Sequence, residues 1–265
     1  MDIILSEAIR IAKLAGTKIK ELRESKQYSE SVKGGYELVT TADLASNELI
    51  NAEIKKKFGD HQILSEEDDG NKNQSLRQPT WIIDPIDGTV GYANDHYQVA
   101  VSIAYAVDCK VRHGVVYNPF LDEMYYASEN SGAFLNGNKI SVKDISELKS
   151  CVVGTGFPHK RDDIQDIISR LGRVLPHIRD IRRLGSPALD ICWVACGRMQ
   201  GFYEEKLYPW DVAAAKLIAI EAGAQVGHYK EDKCQVPECI NGNSVIVSSP
   251  KVFSELNSIL SNKLE

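Results

Sequence analysis

The chain has 265 residues, 43% hydrophobic and 26% charged, with a formal net charge of -6 at neutral pH. That length buries a substantial core, as one large domain or two smaller ones, and the composition is that of an ordinary globular protein. The acidic balance argues against a nonspecific nucleic-acid binder, which is normally basic. It leaves room for a phosphorylated substrate, because bound metal ions invert the local field.

The segment Met1-Asp2-Ile3-Ile4-Leu5-Ser6-Glu7 lacks the basic start and apolar core of a signal peptide. No apolar run is long enough to span a bilayer. The expectation is a cytoplasmic protein without a membrane partner. The six cysteines, Cys109, Cys151, Cys192, Cys196, Cys234 and Cys239, are then expected to be reduced. Cys192 and Cys196 lie one helical turn apart, and Cys234 and Cys239 are close in sequence, so a zinc site is conceivable. Neither pair has zinc-knuckle spacing and no histidine pair accompanies them, which favours small apolar fillers.

From about Ile4 to Leu22, the residues Ile4, Ala8, Ile11, Ala12, Ala15, Ile19 and Leu22 recur at helical spacing. Ser29 to Glu37, with Lys33-Gly34-Gly35, reads as a solvated connection. Leu38-Val39-Thr40-Thr41-Ala42-Asp43 leads into a second helix running to about Phe58. Asp43 stands where that helix begins, as a cap or as an acid facing a site. A short strand, His61-Gln62-Ile63-Leu64, delivers Glu66 directly. Asp68 and Asp69 read as a solvated acidic loop, and Asn71 to Gln78 as a polar, mobile segment.

Trp81-Ile82-Ile83-Asp84-Pro85-Ile86-Asp87-Gly88-Thr89 starts as an apolar strand and ends in a bend with an acid on each side of a proline. The residue before proline is pushed toward extended geometry, and proline donates no backbone hydrogen bond. Two acids, the Ile86 carbonyl, a glycine and a hydroxyl on one turn suit a hard cation and a phosphate. An ordinary strand-to-turn transition has the same residue types.

Strands follow over Gln98 to Val107, Val111 to Tyr117, Glu123 to Ala127 and Ala133 to Ile140, with turns at Asn118-Pro119, Ser131-Gly132 and Asn136-Gly137. The short connections predict an antiparallel meander. Beyond residue 145 the elements alternate. Strands are expected at Cys151–Thr155, Ile178–Arg182, Gln200–Glu204 and Val245–Ser248. Helices are expected at Asp162–Leu171, Ser186–Cys196, Val212–Ala222 and Lys251–Leu260. The shift divides the chain into subdomains 1–145 and 146–265 of one unit.

Four acidic motifs stand in order: Leu38-Val39-Thr40-Thr41-Ala42-Asp43, Ser65-Glu66-Glu67, Asp84-Pro85-Ile86-Asp87-Gly88-Thr89, and Pro209-Trp210-Asp211-Val212-Ala213-Ala214. With Gly132-Ala133-Phe134-Leu135-Asn136-Gly137 and Leu184-Gly185-Ser186-Pro187-Ala188-Leu189-Asp190, they resemble the inositol monophosphatase family over nearly the whole chain. The resemblance is to Mg²⁺-dependent, lithium-sensitive phosphomonoesterases of the bacterial inositol-1-monophosphatase type. It implies an α+β fold, a layered α/β/α/β/α sandwich shared with fructose-1,6-bisphosphatase. It also implies a homodimer acting on a small phosphorylated polyol or sugar, and no nucleic-acid polymer as substrate.

By that resemblance, Glu66, Asp84 and the Ile86 carbonyl hold one Mg²⁺. Asp84 bridges to a second, which Asp87 and Asp211 also bind, and a third, weaker ion uses Glu66 and waters. Two such ions about 3.5–4 Å apart can stabilise the attacking and leaving oxygens of an in-line displacement. Thr89, linked to Asp43, orients and helps deprotonate the attacking water. The Gly88 and Thr89 amides cradle the phosphate, and the segment bearing Lys33 covers the region. Gly185, Ser186 and Pro187 match a segment that contacts the polyol. Glu204 matches an acid that binds a sugar hydroxyl, and equally reads as a solvated strand end; Glu205 reads as surface. Asp211, at a helix start, is a ligand or a cap.

Three positions depart from the family pattern: Ser65 for glycine, Val90-Gly91-Tyr92 for Thr-Asn-Phe, and Pro187 for alanine. The metal set is untouched, while Gly91 weakens the case for inositol monophosphate as the substrate. Fructose 1,6-bisphosphate, adenosine 3',5'-bisphosphate and histidinol phosphate are the enzymatic alternatives. A regulatory binding protein acting on transcription machinery is the alternative of another class.

Overall fold

A computed structural model describes residues 2–33, 37–68, 76–158, 164–231 and 236–262. Among them a seven-stranded sheet has the order β3-β4-β5-β6-β7-β8-β9. Its strands are β3 (Gln62–Ser65), β4 (Thr80–Asp87), β5 (Ala100–Val107), β6 (Lys110–Asn118), β7 (Glu123–Ser128), β8 (Ala133–Leu135) and β9 (Asn138–Ile140). β3 runs parallel to β4, and every later pair is antiparallel. The expected strand over 133–140 is thus a hairpin, folded at the Asn136-Gly137 turn. A five-stranded mixed sheet has the order β11-β10-β12-β14-β13, with β10 (Val152–Thr155), β11 (Asp180–Arg182), β12 (Gly201–Glu205), β13 (Gln225–His228) and β14 (Ser244–Ser248).

Side chains alternate across a strand, so each sheet sorts its apolar residues onto two faces. On β4, Trp81 and Ile83 join the cluster formed with α1 (Ile3–Glu24) and α2 (Thr41–Lys57), which contribute Ile11, Ile19 and Ile50. Ile82 points the other way, to α5 (Pro187–Ala195) and α6 (Pro209–Glu221). Phe202, Val245 and Val247 of the second sheet close the same central cluster from its far side. Their neighbours Tyr203 and Ile246 face the outer cluster, which Val174 of α4 (Ile164–Val174) and Val252 and Leu256 of α7 (Pro250–Leu260) complete. The result is five layers, α/β/α/β/α, as the resemblance implies. α5 and α6 are buried nearly all round because each has a sheet on either side.

Several details differ from the sequence reading. Residues on both sides of Lys33-Gly34-Gly35 form a hairpin of β1 (Glu30–Lys33) and β2 (Glu37–Thr40). β1 is largely exposed and β2 is half-buried without alternation, so no apolar pattern marks them. Gly34 and Gly35 lie outside the described residues, as do Asp69, Cys234 and the first two positions of the expected 162–171 helix. A short helix, α3 (Thr89–Ala93), follows β4, and β13 was not anticipated. Glu205 is buried, not surface: it pairs with Arg170 of α4 at 3.2 Å and with Lys230 at 2.5 Å. Asp68 is held rather than free, accepting from the Asn47 amide at 3.0 Å.

The seven-stranded sheet meets α6 most closely at Gly114 on β6. A Cβ there would stand 2.6 Å from the Ala214 carbonyl oxygen, inside van der Waals contact with backbone that cannot rotate away. The run Ala213-Ala214-Ala215 keeps the helix side of the contact equally slim. Gly114→Val should therefore lower unfolding stability by about 1–3 kcal/mol, the usual range for overpacking. A denaturant melt at the parental midpoint would refute this close packing.

Candidate active site

Asp84 and Asp87 lie three positions apart, so an uninterrupted strand would send their side chains to opposite faces. The pairing with β5 prevents this. Asp84 pairs with Ser102 and Asp87 with Ala100, so Pro85 and Ile86 together oppose Val101 alone. This one extra residue is a β-bulge, and it turns both carboxylates into one cleft. β4 continues to Asp87 rather than ending in a bend at the proline. Asp84 Oδ1 accepts the Ile86 N–H at 3.0 Å, and Ser46 of α2 donates to the Pro85 carbonyl at 3.0 Å, which fixes the bulge from behind.

Gly88 then turns the chain with φ +97°, a conformation that favours glycine. It is also a point of contact between segments, since a Cβ there would meet the Gln98 carbonyl at 2.9 Å and the Gly185 carbonyl at 3.1 Å. Thr89 opens α3 and lines the cleft with Glu66, Asp84, Ile86, Asp87, Gly185, Pro187, Glu204 and Asp211. The structure thus brings together residues that the sequence scatters over nearly 150 positions. Tyr92, one of the departures from the family pattern, is buried and donates to the Ile19 carbonyl at 2.8 Å, tying α3 to α1.

Three acids use helix N-termini. Asp43 is the third residue of α2, and its Oδ2 accepts the Thr40 N–H at 2.8 Å and the Thr40 hydroxyl at 2.6 Å. Its Oδ1 accepts the Thr89 hydroxyl at 3.1 Å. Asp211 holds the same position in α6, with Oδ2 accepting the Tyr208 N–H at 2.7 Å. Asp87 reaches across from β4 to α5, where its Oδ2 accepts the Ser186 hydroxyl at 2.6 Å and the Ala188 N–H at 2.8 Å. Cap and site acid are therefore one role shared between two oxygens in Asp43, not alternatives. Ser186 is wholly buried on Asp87, so its hydroxyl meets that carboxylate rather than the cleft.

One carboxylate oxygen from each of Asp84, Asp87 and Asp211 lies within 4.8 Å of the others. Glu66 lines the same cleft beside this trio. Ser65 supports the Glu66 corner by donating to Asn47 at 2.7 Å. Lys33 approaches from outside: its ammonium donates to the Glu66 carbonyl at 3.1 Å and stands 3.5 Å from Glu67.

Burial dominates the electrostatics. It raises the Asp87 carboxyl to about 7, against the pull of Ser186 and the α5 amides. It raises Asp211 to about 8, helped by repulsion from Asp87. Asp43 rises to about 6, restrained by the Thr40 bonds. Burial first, then the charge of Glu66, pushes Asp84 upward, and burial first, then the charges of Asp211 and Glu67, pushes Glu66 upward. Among the described residues no side-chain cation pairs within 4.0 Å with any of these five carboxylates. Hard oxygen donors in a buried cluster fit Mg²⁺, whose charge would relieve the repulsion.

Sequence reasoning missed Arg183. It lines the cleft, reaches back over Gly185, and sets its guanidinium 5.6 Å from the Phe157 ring. Its neighbours Gly156, Phe157 and Pro158 complete that wall. Nothing in the run Gly154-Thr155-Gly156-Phe157-Pro158 itself names a chemistry.

Residues 1–264 match the model of the Inositol monophosphatase family. The chain is 39% identical over 232 residues to Inositol monophosphatase 2 of Solanum lycopersicum, covering 85% of this chain and 87% of that protein. It is 35% identical over 253 residues to Nus factor SuhB of Vibrio cholerae, covering 95% and 93%. The crystal structure of extragenic suppressor protein suhB from Bartonella henselae superposes with a TM-score of 0.89 at 30% identity, covering 99% of this chain and all of that one. The protein belongs to the inositol monophosphatase family, a metal-dependent group acting on small phosphate monoesters.

The raised carboxyls make a prediction for the metal-free protein. Unfolded aspartates lose their proton near pH 4, whereas Asp211 holds its own to about 8. The native state then binds more protons than the unfolded one across that window, so stability falls as pH rises. Asn can accept the same Tyr208 N–H through its Oδ1 and has no carboxyl to titrate. Asp211→Asn in chelator should melt near the parent at pH 4 and progressively above it toward pH 8. A variant that melts below the parent at both pH values would show that the carboxylate stabilises the metal-free fold.

Proposed function

We propose that the protein is a Mg²⁺-dependent phosphomonoesterase that hydrolyses a small polyol phosphate, with myo-inositol 1-phosphate the leading candidate. The observation that carries this reading is the convergence of Glu66, Asp84, Asp87 and Asp211 with the Asp43–Thr89 pair in one cleft. Glu66, Asp84 and the Ile86 carbonyl would hold one Mg²⁺; Asp84, Asp87 and Asp211 a second; Glu66 and waters a third. When bound, the ions supply charge neutralisation for the attacking and leaving oxygens.

The chain's own groups do the rest. The Thr89 hydroxyl has Asp43 Oδ1 at 3.1 Å and the Ile86 carbonyl at 3.2 Å as acceptors; with the carbonyl turned to a metal, it donates to Asp43, which leaves its lone pairs to accept from the attacking water. Asp43, raised to about 6 by burial, is poised to take up the proton that Thr89 relays. The Gly88 and Thr89 amides start α3, where N–H groups have no intrahelical acceptor, and they serve the phosphate. Gly185, Pro187 and Glu204 face the alcohol half. Ser186 acts at one remove by holding Asp87.

Fructose 1,6-bisphosphate, adenosine 3',5'-bisphosphate and histidinol phosphate belong on the test panel. The name Nus factor carried by the Vibrio cholerae relative favours a second reading, a regulatory binding role. The intact acid set supports catalysis alongside it. A cytoplasmic homodimer completes the proposal, and sedimentation velocity reports the assembly.

Phosphate release from the panel should stop after chelation and return with Mg²⁺, with inositol 1-phosphate turned over fastest and lithium inhibiting. Full turnover in metal-free protein would refute the reading. Thr89→Ala should lower kcat by about 10²- to 10⁴-fold, the usual range for a proton-transfer group. KM should change little, because the lost contact is made mainly in the transition state. Parental kcat in that variant would reduce Thr89 to a packing residue.

A further inference from the structure

Glu204 is an unusual member of the cleft. It is 6% exposed, yet no hydrogen bond or ion pair joins its carboxylate to another described residue. Burial, then the charges of Asp190 and Asp211, push its carboxyl well up, while Arg183 pulls the other way without reaching ion-pair distance. Its oxygens are not among the sealed, orphaned atoms of the interior; they face the cleft, where a carboxylate short of protein partners is open to a ligand hydroxyl. A ligand hydroxyl there would be in keeping with the substrate reading above.

What places that carboxyl is its neighbour across the sheet. β10 and β12 run in parallel, with Thr155 paired to Tyr203. The next residues are Gly156 and Glu204, side by side at the strand ends. Side chains at such positions project to the same side of the sheet. Glu204 uses the space that a Gly156 side chain would fill. A Cβ on Gly156 would lie 2.0 Å from Glu204 Oε2, 2.1 Å from Oε1 and 2.1 Å from Cδ. Gly156 is not in the positive-φ region, so the backbone itself would accept alanine. The carboxylate, not the backbone, demands glycine.

We propose that Gly156 is a specificity-determining positioning residue: its bare Cα is the seat on which the Glu204 carboxylate lies so as to take a hydroxyl of a polyhydroxylated leaving alcohol. The inference rests on the substrate role of Glu204 and adds the residue that makes that role possible. Any side chain at 156 lifts the carboxylate off its seat toward the cleft, where it takes the room of the alcohol it should bind. A phosphate ester whose leaving group carries no hydroxyl does not use the contact.

The experiment compares kcat/KM for myo-inositol 1-phosphate with kcat/KM for p-nitrophenyl phosphate. Gly156→Ala should lower the polyol-to-nitrophenyl ratio by about 10- to 100-fold, the span of one hydrogen bond to a charged group. Glu204→Ala should lower it similarly. The double variant Gly156→Ala/Glu204→Ala should be no worse than Glu204→Ala, because the clash has gone. Gly156→Ala/Glu204→Asp, one methylene shorter, should recover part of the ratio. Thermal melts on all four variants separate selectivity from folding. An unchanged ratio in Gly156→Ala, or losses that add in full in the double variant, overturns the positioning role. If Glu204→Ala leaves the ratio unchanged, the substrate reading of Glu204 fails and the inference falls with it. Should Gly156→Ala not fold, recovery of fold and ratio in the Glu204→Asp pair still decides the matter.

Discussion

The structure turns on the burial of several carboxylates within a few ångströms of one another. Such a cluster repels itself and loses hydration, which would unfold a fold of marginal stability unless something offset it. Lysine or arginine at ion-pair distance would offset it, but would also fill the place of a metal. The protein uses helix N-termini instead. Asp43, Asp87 and Asp211 each accept backbone N–H groups at the start of α2, α5 and α6. Partial positive charge at a helix start stabilises an anion without supplying a mobile cation. The acids are held, and the cleft stays electronegative.

The layering follows from this need. α2 belongs to an outer layer, and α5 and α6 to the central one, so their N-termini can meet only around a strand that both layers share. β4 is that strand, buried on both faces along its length. Its bulge at Pro85-Ile86 turns Asp84 and Asp87 to the same side, and Gly88 lets the chain pass within contact of Gly185. α6 is anchored along its length as well. Lys216 donates to the Glu238 carbonyl at 2.6 Å, and Glu221 accepts the N–H groups of Asn130, Ser131 and Gly132. With its middle and far end fixed, the helix delivers Asp211 with little freedom.

Much of this was legible in the residues. The strand pattern around Trp81, the helical spacing from Ile4, and the hairpin turns carry strong local signals, and the four acidic motifs stand in order. Other features were not legible for definite reasons. β1 is exposed and β2 half-buried, so no apolar alternation betrays them. The union of cap and site acid at Asp43 depends on which oxygen points where. Ser186 read as a substrate contact because Gly185-Ser186-Pro187 matches a family segment that contacts the polyol, yet its hydroxyl donates to Asp87 from 99 residues away. Arg183 carries its meaning only through Phe157 and Gly185, which fold around it.

β12 shows how one short strand can serve two purposes. Glu204 and Glu205 are adjacent and identical in type, and nothing local separates them. Alternation sends them to different surroundings. Glu205 finds Arg170 and Lys230, which satisfy it and fasten β12 to α4 and the chain beyond β13. Glu204 finds Gly156 and the cleft, with no such partner among the described residues. The paired glutamate holds the wall in place, and the other presents its carboxylate to the cleft. The role of a carboxylate follows from its partners, and one residue type at adjacent positions of one strand becomes a clamp in one case and a cleft wall in the other.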